Sequence, residues 1–211
     1  MAGFTDEERE RIREQLIEIG HELLLQYGPK KTTVADITEP TGIAKPTFYQ
    51  FFESKSDLYL VILQRELEEY MENVRSELLG VDDPQEGLER FFRCYVEFGE
   101  ENPFIQQTVI KGNYQDILRN VSPDQFAELQ HQELAEFVPI IEEFQRRSDG
   151  PISEMEPLTV LGIMGGSIGL LILHKDEYER YEQELDGIGD GYYEHVRNVL
   201  IETLARGLTT D

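Results

Sequence analysis

The chain has 211 residues, with 19 Lys and Arg against 43 Asp and Glu, a formal net charge of −24. That length exceeds a minimal DNA-reading domain and suffices for a sizeable core, while the charged start MAGFTDEERERIRE lacks the apolar stretch of a signal peptide. A single cysteine, Cys94, excludes an internal disulfide and fits a reducing, cytoplasmic setting, and His21, His131, His174 and His195 show no metal-ligand spacing, so neither metal nor cofactor is expected.

The first predicted helix spans residues 6–27. Thr5 followed by Glu8 makes a capping box, and Ile12, Leu16, Ile19, Leu23 and Tyr27 recur at spacings of three and four to give one buried face. Gly28-Pro29 ends it. Thr33 caps a second helix with Asp36 as its box partner; Val34 and Ile37 face inward, and Pro40 is expected to break the run. The turn Thr41-Gly42-Ile43 leads to a third helix at about residues 45–51, in which Pro46 is tolerable because its missing N–H belongs to the first turn. Ser54 with Asp57 caps a fourth, whose apolar stripe fades after Val61 and Ile62.

Beyond the loop Val81–Pro84, helices are expected at 84–101, 103–119, 123–147, 156–178 and 190–207, with breaks at Asn102-Pro103, Ser122-Pro123 and Asp149-Gly150-Pro151. Neither strand-like alternation nor an internal repeat is present in the sequence, so the fold class is all-α: an N-terminal three-helix helix-turn-helix domain (1–54), then a helical effector-binding and dimerisation domain (55–211). Leu158–Leu173 is apolar nearly all round, yet its 16 residues fall short of a membrane span, which wants about 20. No membrane partner is expected. Gly162, Gly165, Gly166 and Gly169 allow another helix to approach closely. This helix and the last one read as a homodimer seam, the alternative being a core helix pair within one chain.

Two short helices joined by a glycine-containing turn present a recognition helix to the major groove of double-stranded DNA. The net charge opposes a basic DNA footprint, but its distribution softens the objection. Residues 1–60 carry 7 basic and 11 acidic groups, a net of −4, leaving −20 for the remainder. Four of the six lysines, at 30, 31, 45 and 55, lie near the presumed DNA face. Such an acidic excess suits a halophilic, salt-rich cytoplasm, where self-repulsion is screened. The plain alternative is an acidic protein that does not bind nucleic acid.

The ordered set Tyr27-Gly28, Thr32-Thr33-Val34, Asp36-Ile37, Gly42-Ile43, Lys45, Thr47-Phe48-Tyr49, Phe52 and Ser54-Lys55 before Leu58 resembles the TetR family of transcriptional regulators. The resemblance covers residues 12 to about 60 well; the rest is similar only in length, helicity and a glycine-bearing penultimate helix. It implies a homodimer with two readers and an effector-binding body. Lys45, Thr47 and Tyr49 match positions where the family's recognition helix meets DNA, and Thr33 and Lys55 match phosphate contacts. The sequence departs from the family pattern at Pro40 and Thr41, and at Ala44, where the family's helix-capping Ser is absent.

The resulting expectation is a ligand-responsive regulator, a repressor, binding a near-palindromic operator as a dimer. Phe92, Tyr95, Ile110, Tyr114, Phe137 and Met164 are the expected lining for a sizeable apolar or aromatic effector, although a residue of this kind taken alone is more often simple core. No nucleophile–base set, phosphate-cradling glycine loop or metal pair appears in the sequence, so catalysis is not expected. The rival expectation is a helical ligand-binding or interaction protein that no longer binds DNA.

Overall fold

The computed structural model describes residues 4–112, 114–118, 121–185 and 187–210, with Tyr114 described by its backbone alone. Every regular element among them is helical: α1 Asp6–Tyr27, α2 Val34–Thr41, α3 Lys45–Phe48, α4 Lys55–Leu78, α5 Pro84–Glu101, α6 Pro103–Ile105, α7 Tyr114–Leu118, α8 Pro123–Arg147, α9 Pro157–Met164, α10 Leu170–Leu173, α11 Lys175–Glu184 and α12 Tyr192–Thr209. Short π turns, Gln106–Ile110 and Gly165–Gly169, follow α6 and α9, and a 3-10 turn, Pro151–Glu154, precedes α9. The residues group into two compact units. One is Met1–Glu69 with Asn102–Gln130, which takes in the 1–54 segment, and the other is Tyr70–Glu101 with His131–Asp211.

In the first unit α1 begins at its capping box, Thr5 N–H donating to Glu8 Oε2 at 2.8 Å and Glu8 N–H to Thr5 Oγ1 at 3.2 Å. Its buried face is Ile12, Leu16, Ile17, Gly20 and Leu24. Tyr27, expected on that face, is 50% exposed. The reason is Gly20: a Cβ there would stand 2.7 Å from Leu58 Cδ2, so α4 packs where α1 has no side chain, and apolar spacing does not register a glycine. α2 runs through Pro40 to Thr41 rather than stopping before it. A proline in a last turn costs one backbone bond but keeps a helical φ, and Thr41 Oγ1 donates to the Thr38 carbonyl at 2.7 Å. Gly42 then closes the helix at φ 69°, its N–H on the Glu39 carbonyl. Phe48, Phe52, Ile37, Leu16, Leu24 and Leu58 form the core here.

The segment expected as one helix over 103–119 is broken. α6 passes into a π turn, and Gly112 at φ 70° turns the chain before α7. The segment over 156–178 also departs from a single helix: it carries the π turn at its glycines and ends at His174, with Pro157–Leu173 and Lys175–Glu184 bent by 50°. No single helix among the described residues is long and apolar enough to cross a membrane.

The second unit centres on α5, whose Leu88, Phe91, Phe92, Cys94 and Val96 are buried. Phe91 meets Phe137 and Phe144 of α8 at centroid distances of 6.2 and 6.3 Å, and Tyr70 stacks on Phe98 at 4.3 Å. Glu100 at the end of α5 accepts from Tyr193 Oη, and from Arg197 and Lys175 at 3.2 and 3.4 Å, tying α5 to α11 and α12. Burial and this carboxylate push the Tyr193 phenol far above its ordinary range.

Candidate nucleic-acid interface

The capped start of α2, the Gly42 turn and α3 form the helix-turn-helix. Thr33 caps α2 reciprocally with Asp36: Thr33 N–H and Oγ1 donate to Asp36 Oδ2 at 2.8 and 2.7 Å, and Asp36 N–H returns to Thr33 Oγ1 at 3.3 Å. These bonds from Thr33 hold the Asp36 carboxyl below its usual range. The Thr33 hydroxyl proton is therefore committed to Asp36. What α2 offers an anion at this point is the first-turn N–H groups of Val34 and Ala35, which have no intrahelical acceptor by position.

α3 has four residues and no side-chain cap at Ala44. The helix is shorter than the expected 45–51 element, but turns continue beyond Phe48, with Gln50, Phe51 and Phe52 N–H donating to Thr47, Phe48 and Phe48 carbonyls at 3.0, 2.9 and 3.1 Å. Phe48 and Phe52 anchor this turn in the core. Lys45 is exposed, Thr47 is half-buried, and Tyr49 is 52% exposed with its ring edge-on to Phe48 at 5.4 Å. These three side chains thus share one short, core-anchored turn that also presents the exposed Gln50.

The lysines have divided roles. Lys55 Nζ donates to the Pro29 and Thr32 carbonyls, both at 2.6 Å, and lies 5.6 Å from the Tyr59 ring centroid. It ties down the α1–α2 connection. Tyr59 is fully buried beneath it, and that burial pushes the phenol up to about 12. Lys30 pairs with Asp116 of α7 at 3.1 Å, whereas Lys31 is exposed. Spacing along the chain showed neither these pairings nor a third link. Glu66 of α4 lies 2.9 Å from His21 Nε2 of α1 and accepts from Asn102 Nδ2 at 2.5 Å. Asn102 in turn caps α6 through Oδ1 on Ile105 N–H at 2.9 Å. Burial would raise the Glu66 carboxyl, but the bonds from His21 and Asn102 outweigh it and hold the group below its usual range.

The expected effector residues do not fall in one compact unit. Phe92, Tyr95, Phe137 and Met164 belong to the second, Ile110 to the first. Tyr114 belongs to the first as well, but its side chain lies outside the described residues. Phe92 is fully buried and Met164 is 6% exposed. Phe137 meets Phe91 and Tyr70, and the Tyr95 hydroxyl closes on Gly169, where a Cβ would stand 2.8 Å away.

Residues 16–62, which span this motif, match the family model described as bacterial regulatory proteins, tetR family. These residues belong to the TetR family. Among curated relatives, the HTH-type transcriptional activator FasR of Mycolicibacterium smegmatis is 27% identical over 106 residues, 50% of this chain and 48% of that protein. The chain spans about half the length of the curated relatives it matches. The fold is shared more widely. A TetR-family regulator of Pectobacterium atrosepticum superposes with a TM-score of 0.68 at 21% identity, over 99% of both chains. FadR of Bacillus subtilis, solved in complex with stearoyl-CoA, superposes with a TM-score of 0.62 at 14% identity, over 92% of this chain and 98% of that one.

Proposed function

We propose that the chain is a ligand-responsive transcriptional repressor that binds a near-palindromic operator as a homodimer in a salt-rich cytoplasm. The observation that carries it is the core-anchored turn exposing Lys45 and Tyr49, with Thr47 beside them, directly after the Gly42 turn. Lys45, Thr47 and Tyr49 meet base edges, and the start of α2 at Thr33 receives a phosphate. Lys55 serves phosphate binding by fixing the loop that positions Thr33.

The proposed dimer seam is formed by α9, α10 and α12. Support comes from apolar side chains left exposed there: Leu158 at 55%, Leu170 at 52%, Leu173 at 50% and Val199 at 48%. A Cβ added at Gly162, Gly165 or Gly166 would meet nothing within 4 Å, so each has room for a helix of a second copy. The proposed effector is a sizeable apolar or aromatic molecule held by Phe92, Tyr95, Phe137 and Met164 of the second unit. The stearoyl-CoA bound by the Bacillus subtilis neighbour makes a long-chain acyl-CoA the first compound to test. Effector binding would favour a conformer with misplaced readers, and a coupling of about 1–3 kcal/mol suffices for a roughly 5- to 150-fold loss of affinity.

Selection of genomic fragments by the purified chain, at molar and at low KCl, tests the proposal. A shared inverted repeat, released by palmitoyl- or stearoyl-CoA, is expected. Absence of an enriched sequence at both salts would assign the chain instead to ligand binding without DNA recognition.

A further inference from the structure

The first turns of α1 reach the far end of the recognition turn. Arg9 Nη2 donates to the Gln50 carbonyl at 3.2 Å, and its guanidinium lies 5.0 Å from the Phe51 ring centroid. Phe4 approaches the same ring at 6.3 Å, and Arg13 lies 5.6 Å from the Phe52 ring. The Gln50 carbonyl belongs to the C-terminal end of a helical turn, where carbonyls lack intrahelical donors and a cation is favoured. α3 needs such outside support. With four residues and no side-chain cap at Ala44, it has too few bonds of its own to be stiff. An arginine supplies both contacts at once, because its planar fork donates to a carbonyl while its face stacks on an aromatic ring.

We propose that Arg9 is a positioning residue for base recognition: it sets the orientation of Tyr49 and Gln50 by clamping the Gln50 carbonyl and the Phe51 ring, and does not itself touch DNA. The inference rests on the DNA-binding reading above. It explains how a reader with an uncapped recognition helix keeps a defined geometry, and it places specificity partly in α1, outside the helix-turn-helix.

The test uses the full chain with Arg9→Ala and Arg9→Lys, the selected operator, a scrambled duplex of equal length, and hydrogen exchange over residues 44–52. Arg9 is exposed, so both variants are expected to fold. For Arg9→Ala, the ratio of operator to scrambled affinity should fall about tenfold, in line with the loss of one charge-assisted hydrogen bond and one cation–π contact. Affinity for the scrambled duplex and the slope of log K against log[KCl] should stay unchanged, exchange over 44–52 should rise, and Arg9→Lys should restore only part of the ratio. Equal loss on both duplexes, with the salt slope smaller by about one unit, would make Arg9 a phosphate contact and overturn the proposal. Unchanged exchange over 44–52 would overturn it too. If the wild-type chain prefers no sequence while Arg9→Ala still raises that exchange, the DNA-binding reading fails and the clamp on α3 stands.

Discussion

Lys45 and Lys55 bracket the recognition turn, and the same residue type is used there for two purposes. Lys45 is exposed on α3, whereas Lys55 spends donors on the Pro29 and Thr32 carbonyls. Lys45→Ala is therefore expected to abolish preference for the operator while leaving the melting temperature within about a degree of wild type, as for a surface substitution. Lys55→Ala is expected to lower stability by about 1–3 kcal/mol, because it strips charge-assisted bonds from two carbonyls. It should weaken binding to all duplexes through the loosened loop. Thermal unfolding beside binding to operator and scrambled DNA checks both, and equal, mild effects on binding and stability would contradict the division. Residue spacing and family resemblance brought out Lys55 as a cation at the start of α4. That its ammonium turns inward onto carbonyls some 23 and 26 residues earlier depends on the fold of the 28–33 loop, which no local pattern encodes.

Among elements, the legible ones are those with signals at their ends. α1 and α5 begin and end where the Thr5 capping box, Gly28, Pro84 and Asn102-Pro103 said they would. The 103–119 and 156–178 segments lack such marks inside. Gly112 breaks the first through a positive φ, and the glycine-rich stretch Gly165–Gly169 carries a π turn in the second, neither of which disturbs apolar spacing. Side-chain links between elements were less legible still. The Glu66 carboxylate joins α1, α4 and the cap of α6 through His21 and Asn102. Since its folded pKa lies below the usual range, its stabilisation is complete above the unfolded value of about 4.3 and is lost as pH falls through the folded value. Glu66→Gln should thus be less stable than wild type at neutral pH, with the gap narrowing below about pH 4.3. Denaturation followed from pH 7 to 3 measures it, and a gap constant over that range would contradict the role given to the ionised carboxylate.

At the scale of the whole molecule, the charge of −24 and the exposed apolar strip on α9, α10 and α12 pull in opposite directions. An apolar seam favours association, while like charge on two copies opposes it. At about 1 M salt the Debye length falls to about 3 Å, so the repulsion is screened and burial dominates. Dimerisation and operator binding are both expected to strengthen, relative to competing nonspecific association, as KCl approaches molar concentration. Gly166→Leu should leave the isolated chain folded, since nothing lies within 4 Å of a Cβ there, yet shift it to monomer in sedimentation velocity. A dimer unchanged by that substitution would move the seam elsewhere.

The central claim is that two copies of the α2–Gly42–α3 reader sit on one inverted repeat. The most direct measurement is a nucleotide-resolution footprint of the full chain on its selected fragment at molar KCl. Two protected half-sites with centres about 34–36 Å apart are predicted, lost together in Lys45→Ala. A single protected site, no protection, or protection that survives Lys45→Ala would contradict it.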